Sequence, residues 1–249
     1  MKKPKSTLLK TSLFITFLVT TVTFTKAQEN NKENLEIFDK IIGPENTKLY
    51  NGKRYYNLYK STLNNHNFFK QPNYQKGDVF YDGQYFINVD LKYDLFVDKL
   101  IFKPVGEKSY LNIELIKNKI DSFSFQNHKF INSAILQENE DFLSGFLEVI
   151  YTSPLMQLYA KRRKTVSERI KQTRLTYTFY TEDLYFLSYN SILYEINSSK
   201  DFGKIFLTLR KEIKKTSKEN KERFRNNDED LYLYLITFIN FRLNTNKAN

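Results

Sequence analysis

Cysteine is absent from this sequence and so is tryptophan, while methionine and histidine occur twice each, proline five times and glycine seven times. Without cysteine there are no disulfides, no thiolate metal sites and no cysteine nucleophile. Acylation at a lipobox cysteine is excluded as well, so the chain is not a lipoprotein. There is no Gly-rich phosphate loop and no Gly-x-Ser-x-Gly nucleophile elbow. The two histidines, His66 and His128, stand alone, with no metal-ligand spacing around either. His128 falls in a predicted turn, where a solvent-facing side chain is expected.

What is present begins with an address. Lys2, Lys3 and Lys5 precede an apolar stretch from Leu8 to Phe24 that is interrupted by Lys10, and Thr25-Lys26-Ala27 offers a small-residue cleavage site. The uninterrupted part, Thr11 to Phe24, is 14 residues, short of the ~17–25 that span a bilayer. The pattern predicts a cleaved signal peptide over residues 1–27 and a periplasmic or secreted mature protein. That segment carries five lysines and no acid, so the formal charge of +11 falls to +6 on cleavage, an ordinary solubility charge that gives no reason to expect nucleic acid as a partner. An exported chain of this size without disulfides depends on its core. The 18 tyrosines and 22 phenylalanines can supply one, since each ring buries ~150–250 Å². The bias toward Lys, Asn, Ile, Phe and Tyr fits an AT-rich bacterial genome.

Residues 28–46 are polar and read as a linker or a short helix ending at Gly43-Pro44. From Leu49 to Ile196 the apolar period is two, most clearly between Val79 and Val97. Asp82-Gly83 is a hairpin signal, because a type I′ turn needs φ > 0 at both central positions. A strict two-residue turn would swap the parity of the buried face, so either the loop is longer or both faces are partly covered. Further strands are predicted at 49–59, 110–117, 119–126, 128–135, 145–151, 154–162, 173–180, 183–189 and 191–196. The links between them are too short for parallel crossovers. After Asn197 the period becomes 3.6, with Ser198 as a cap, Asp201 at the third helical position and Phe202, Ile205, Phe206, Leu209 and Ile213 on one face. A second helix starts near Asn227 with Asp228, Glu229 and Asp230 in its first turn. Its body, Leu231 to Phe241, is apolar nearly all round and expected to be buried, with a strand as the alternative. The predicted fold is α+β: an antiparallel meandering β-sheet over 47–197, folded as a sandwich or an open barrel, with two C-terminal helices over 198–243 packed on it and a polar tail at 244–249.

The runs Gly77-Asp78-Val79-Phe80-Tyr81-Asp82-Gly83-Gln84-Tyr85 and Val89-Asp90-Leu91-Lys92-Tyr93-Asp94-Leu95-Phe96-Val97-Asp98 resemble a recurring pattern in a family of exported bacterial envelope proteins. Leu49-Tyr50-Asn51-Gly52, the strand end Lys161-Arg162-Arg163-Lys164 and the helical tail from Ser198 to Arg242 are similar too. The resemblance covers roughly residues 47–243. It implies an envelope location and a β-rich body, and it brings no activity with it.

Asp78, Asp82, Asp90, Asp94 and Asp98 share one parity. Along one strand Asp94 and Asp98 would lie about 13 Å apart, beyond the ~5–9.5 Å of a glycosidase pair, so a solvated strand face is expected. Basic charge is concentrated in two segments: residues 161–174 hold seven basic side chains against Glu168, and residues 200–225 hold ten against four acids. Their side chains are expected on one outer surface, with Lys161, Arg162, Arg163, Lys164, Lys211, Lys214 and Lys215 as candidate contacts to anionic lipid or lipopolysaccharide. The competing reading is a solvated helix face laced with Lys215–Glu219 and Lys218–Glu222 pairs. The functional expectation is a non-enzymatic binding or accessory protein of the envelope without cofactor, its partner an anionic surface or another envelope protein. A hydrolase whose carboxylates converge from different strands is the alternative.

Overall fold

The computed structural model describes residues 47–59, 62–136, 143–171, 174–225 and 227–247. The segments predicted as signal peptide and linker, 1–27 and 28–46, lie outside the described residues. The strands are β1 (Lys53–Arg54), β2 (Gln75–Tyr81), β3 (Gln84–Asp94), β4 (Lys99–Lys103), β5 (Ile113–Glu114), β6 (Ile120–Phe125), β7 (His128–Asn132), β8 (Phe146–Thr152), β9 (Met156–Lys161), β10 (Lys164–Lys171), β11 (Arg174–Thr181), β12 (Leu184–Tyr189) and β13 (Ile192–Ile196). Three helices follow: α1 (Ser199–Ile205), α2 (Arg210–Glu219) and α3 (Asp228–Lys247).

Eleven strands form one antiparallel sheet in the order β1-β5-β4-β3-β2-β6-β7-β8-β9-β12-β13. Its edges β1 and β13 do not pair with each other, so the sheet is open. It is also strongly curled. The Tyr93 ring on β3 meets Phe146 on β8 with centroids 5.8 Å apart, four strands away in the order, where a flat sheet at ~4.8 Å per strand would hold them about 19 Å apart. Phe123 and Phe130 stack between them at 4.7 Å. The first strands thus wrap around their own aromatic core, which includes Tyr81, Phe86, Tyr93, Phe123, Phe125, Phe130 and Phe146.

The β2–β3 hairpin explains how one strand pair can swap parity and recover. Asp82 (φ 51°) and Gly83 (φ 76°) form the two-residue turn, with Tyr81 opposite Gln84. Parity therefore changes across the turn: Val79 and Tyr81 are buried on β2, and Phe86 on β3. The register then shifts, Val79 facing Phe86 but Gly77 facing Val89. The extra residue on β3 is a bulge at Asn88, φ 56°, whose backbone N–H donates to Asp78 Oδ1 at 2.9 Å. Beyond it Leu91 and Tyr93 are buried, and odd parity is restored.

Other departures from the sequence reading have similar local causes. Strand β4 was not predicted because Leu100, Ile101 and Phe102 are all buried: Ile101 faces Tyr55, Phe68 and Tyr74 on the outer side, so no alternation marks it. Residues 49–59 are mostly irregular, with only β1 extended; Tyr55 covers that outer side, while Leu49 belongs to the inner core. β10 and β11 pair only with each other, an arm inserted between the partners β9 and β12, and none of its described side chains is fully buried. The first predicted helix is divided: the chain leaves α1 at Phe206 (φ −103°, ψ 72°) and passes a 3-10 turn, Leu207–Leu209, before α2. α3 continues to Lys247, through most of the predicted polar tail.

The helices pack on β9, β12 and β13 through Phe202, Phe206, Leu209, Ile213, Leu231, Leu235, Ile236 and Ile239 against Met156, Leu158, Leu187 and Ile196. α3 is buried on one face rather than all round, since Tyr234 and Phe241 are exposed. Asp201 accepts from the Ser198 N–H at 2.8 Å to start α1, and Asn227 Oδ1 accepts from the Asp230 N–H at 3.1 Å to start α3. Among the described residues, no helix is long and apolar enough to cross a membrane.

Candidate functional site

The two basic segments have opposite fates. Lys161 and Arg162, expected on the outside, are 7 % and 8 % exposed. Lys161 ends β9 where the curl brings the β3–β4 turn against it, and its ammonium lies 2.9 Å from Asp98 Oδ2 and donates to the Ser144 carbonyl. Lys117 reaches the same carboxylate oxygen at 2.6 Å. Gly145 (φ 110°) makes room for this group, because a Cβ there would sit 1.7 Å from Asp98 Oδ2. Burial pushes the Asp98 carboxyl up, but the two ammoniums more than offset this and hold it below its ordinary range. Burial lowers Lys161, and Asp98 opposes that shift.

Arg162 is the hub of a second buried group. Its Nε lies 2.5 Å from Glu148 Oε2, and its Nη1 lies 2.6 Å from both Asp183 Oδ2 and Glu229 Oε2. Tyr185 donates to Glu229 at 3.1 Å, and His128 is bonded to Glu148 rather than solvent-facing. Burial raises Glu229, yet Arg162 brings it below the usual carboxylate value. Asp183 stays raised, by burial first and then by its acidic neighbours. Carboxylates do converge here from a strand, a loop and a helix, as the hydrolase reading required, but each is bound to a guanidinium standing between them. The hub ties the first turn of α3 to the sheet. Arg163 pairs with Glu182 at 2.8 Å, and Lys164 donates to the His66 carbonyl at 2.6 Å. The expectation that residues 161–164 form an outer basic surface is therefore corrected at Lys161 and Arg162, which are buried, while the Arg163 side chain stays 42 % exposed. The sequence could not show that Asp98, Glu148, Asp183 and Glu229 would meet them.

The aspartates also differ from one solvated face. Asp94 is 2 % exposed and accepts from Tyr55 Oη at 2.7 Å and Asn67 Nδ2 at 2.6 Å. Asp82 and Asp90 pair with Lys119 and Lys76. His66 is buried, its Nδ1 facing the Phe68 N–H at 3.2 Å, and burial followed by Lys164 lowers its pKa. Among the described residues no cluster of His, Asp and Glu could hold a metal ion.

The second basic segment builds the candidate site. A cavity of about 680 Å³ lies among the three helices, within the ~300–1,000 Å³ of small-ligand sites. Lys200 and Lys204 enter from α1, Arg210, Lys214 and Lys218 from α2, and Lys221 and Arg225 from the turn before α3. Asp228 is the acid among the lining residues. Positions 210, 214 and 218 recur every four residues, and 214, 217 and 218 share one helical face, so α2 presents Arg210, Lys214 and Lys218 as a stripe. Its acids turn elsewhere: Glu212 holds Arg242 at 2.7 Å, and Glu219 lies 3.9 Å from Lys215. Lys204 is paired with Asp201 at 2.6 Å. Lys200, Arg210, Lys214, Lys218, Lys221 and Arg225 have no ion pair among the described residues. Phe224, Leu231 and Tyr232 add apolar wall, and Ser199 and Ser217 add hydroxyls, joined at 2.9 Å. Burial, with Asp228 and Asp201 nearby, pushes the Tyr232 hydroxyl up to about 12. Of the candidate contacts named from sequence, Lys214 lines this cavity, while Lys211 and Lys215, exposed on α2 as Lys214 is, lie outside its lining. The chain matches no family model, no curated protein and no solved structure.

Proposed function

We propose that this chain is an exported envelope protein that acts by binding, and that its ligand is anionic and seats in the helical cavity. One observation carries the reading. Six cations without an ion pair among the described residues converge on a concave site where Asp228 is the acid of the lining, while Glu212 and Glu219 of α2 turn elsewhere. A merely solvated basic face would interleave its charges in i,i+4 pairs. A cleft lined by one sign of charge instead focuses the field and concentrates counter-ions. Export is supported by the basic, apolar and small-residue order of residues 1–27.

Thermal unfolding of the full mature chain against a panel of small anions tests the reading. A ligand present at a hundred times its dissociation constant stabilises the folded state by about 2.7 kcal/mol. At least one polyvalent anion should raise the melting temperature at low salt, with a smaller rise at high salt. Stabilisation by none of them refutes the binding site. Intact mass of the native protein tests export: retention of Met1 to Ala27 removes that part.

A further inference from the structure

We propose that the cavity is built for a ligand carrying two or more phosphate charges, rather than for a carboxylate or any anion at random. The inference rests on the anion-binding reading above and narrows it to one chemistry.

The argument is one of charge density. Lys200, Arg210, Lys214, Lys218, Lys221 and Arg225 surround a cavity of about 680 Å³. A carboxylate brings one negative charge and two acceptor oxygens. A phosphomonoester brings about −1.5 to −2 at neutral pH and three strong acceptor oxygens on one tetrahedral centre. Two or three phosphate groups therefore bring about three to six negative charges into this volume, whereas carboxylates would need as many separate groups as charges. The donor set suits the same chemistry. Arg210 and Arg225 offer planar forks that match two phosphate oxygens at once, and the lysines act as point charges. Ser199 and Ser217 bring neutral hydroxyls. Phe224, Leu231 and Tyr232 leave one wall apolar, so the phosphates can belong to a lipid headgroup or to a soluble molecule.

Calorimetric titration of the full chain with orthophosphate, tripolyphosphate and citrate tests the chemistry. Flotation with phosphatidylcholine vesicles, with and without phosphatidic acid, separates the two sources. Tripolyphosphate should bind at least ~10-fold tighter than orthophosphate and than citrate, a margin of about 1.4 kcal/mol, and should weaken as salt rises. Lys214→Gln with Lys218→Gln should reduce its affinity at least ~10-fold. Lys211→Gln with Lys215→Gln, on the same helix but outside the lining, should leave it within about twofold. Glutamine keeps the helix propensity of lysine, and circular dichroism checks that both variants are folded. Flotation with phosphatidic acid vesicles, blocked by tripolyphosphate, assigns the phosphate to a lipid; tight tripolyphosphate binding without flotation assigns it to a soluble ligand. Equal affinity for orthophosphate and tripolyphosphate overturns the proposal. So does citrate bound as tightly as tripolyphosphate, although anion binding in the cavity then stands. Equal loss in both double variants also overturns it, because the attraction would be diffuse. Binding of no anion removes this inference and the reading beneath it together.

Discussion

The segments 161–164 and 200–225 both concentrate basic side chains, four in the first and ten in the second, and the fold treats them in opposite ways. Lys161 and Arg162 are buried and answered by Asp98, Glu148, Asp183 and Glu229. Six of the cavity cations are crowded together with no ion pair among the described residues. The first arrangement ties distant strands, and α3, to one another. The second sets like charges side by side, where each i,i+4 pair costs a helix ~0.2–0.5 kcal/mol. Net charge read from sequence cannot separate the two, because it does not say which acids the topology will bring near. Acids within a few residues mislead as well: Lys218 has Glu222 four positions on, yet Lys218 lines the cavity.

The comparison breaks most visibly at Arg162. Replacing it with Met removes the cation and leaves Glu148, Asp183 and Glu229 facing one another with little water between them. Loss of one partner from a buried ionic group costs ~3–5 kcal/mol. Urea unfolding of Arg162→Met should show a fall of that order in the midpoint-derived stability at unchanged m-value. A change below about 1 kcal/mol would mean that the hub relaxes into water and does not hold α3 to the sheet.

A smaller effect is expected at Asp98, and it depends on pH. Burial raises this carboxyl, but Lys161 and Lys117 bring it below its unfolded value, which is ~3.9. The folded chain then binds this proton less readily than the unfolded one. The contribution is therefore present above about pH 4 and lost as pH falls through the lower, folded value. Asp98→Asn should be destabilised at neutral pH and should lose less stability than the parent on acidification below pH 4. Parallel acid limbs for parent and variant would assign that loss to other carboxylates. His66 adds a term of the same sign in a higher window. Its folded pKa is lowered by burial and Lys164, so stability declines as pH falls below ~6.5.

Much of the sheet was legible because alternation and short links are local properties. Val79, Tyr81, Leu91, Tyr93 and Leu95 hold the expected parity and are buried. The rest depended on events that one strand does not record. Phe86 is buried out of parity because the turn at Asp82-Gly83 flips the faces, and only the bulge at Asn88, held by Asp78, flips them back. Strand β4 was hidden because Tyr55 and Phe68, more than thirty residues earlier, cover Ile101. The candidate site was half legible. The charge of residues 200–225 was plain in the sequence, and Lys214 was singled out from it. That Lys200 and Lys204 face Arg210, Lys214 and Lys218 across a cavity follows from the break at Phe206, and the continuous 3.6-residue period gave no sign of it.

The smallest expected effect sharpens the comparison through the ligand-free protein. If the cavity cations are held together for a ligand, their repulsion is a standing cost, and removing charge there should stabilise the empty chain. Lys214→Gln with Lys218→Gln relieves the i,i+4 repulsions of Arg210 with Lys214 and of Lys214 with Lys218. At ~0.2–0.5 kcal/mol each, the sum is about 0.4–1 kcal/mol at low ionic strength, shrinking as salt screens it. Lys211→Gln with Lys215→Gln removes one repulsion along α2 but also the exposed contact of Lys215 with Glu219 at 3.9 Å, an interaction of a few tenths of a kcal/mol. Those changes offset, so its stability should stay within about 0.5 kcal/mol of the parent. Urea midpoints of the two double variants at low and high salt decide between them. Stabilisation of the cavity pair that fades with salt, beside an unmoved outer pair, is the signature of charges placed against their own stability. Destabilisation of the cavity pair would mean that Lys214 and Lys218 hold the helices together, and the unanswered cations would then be structural like Arg162.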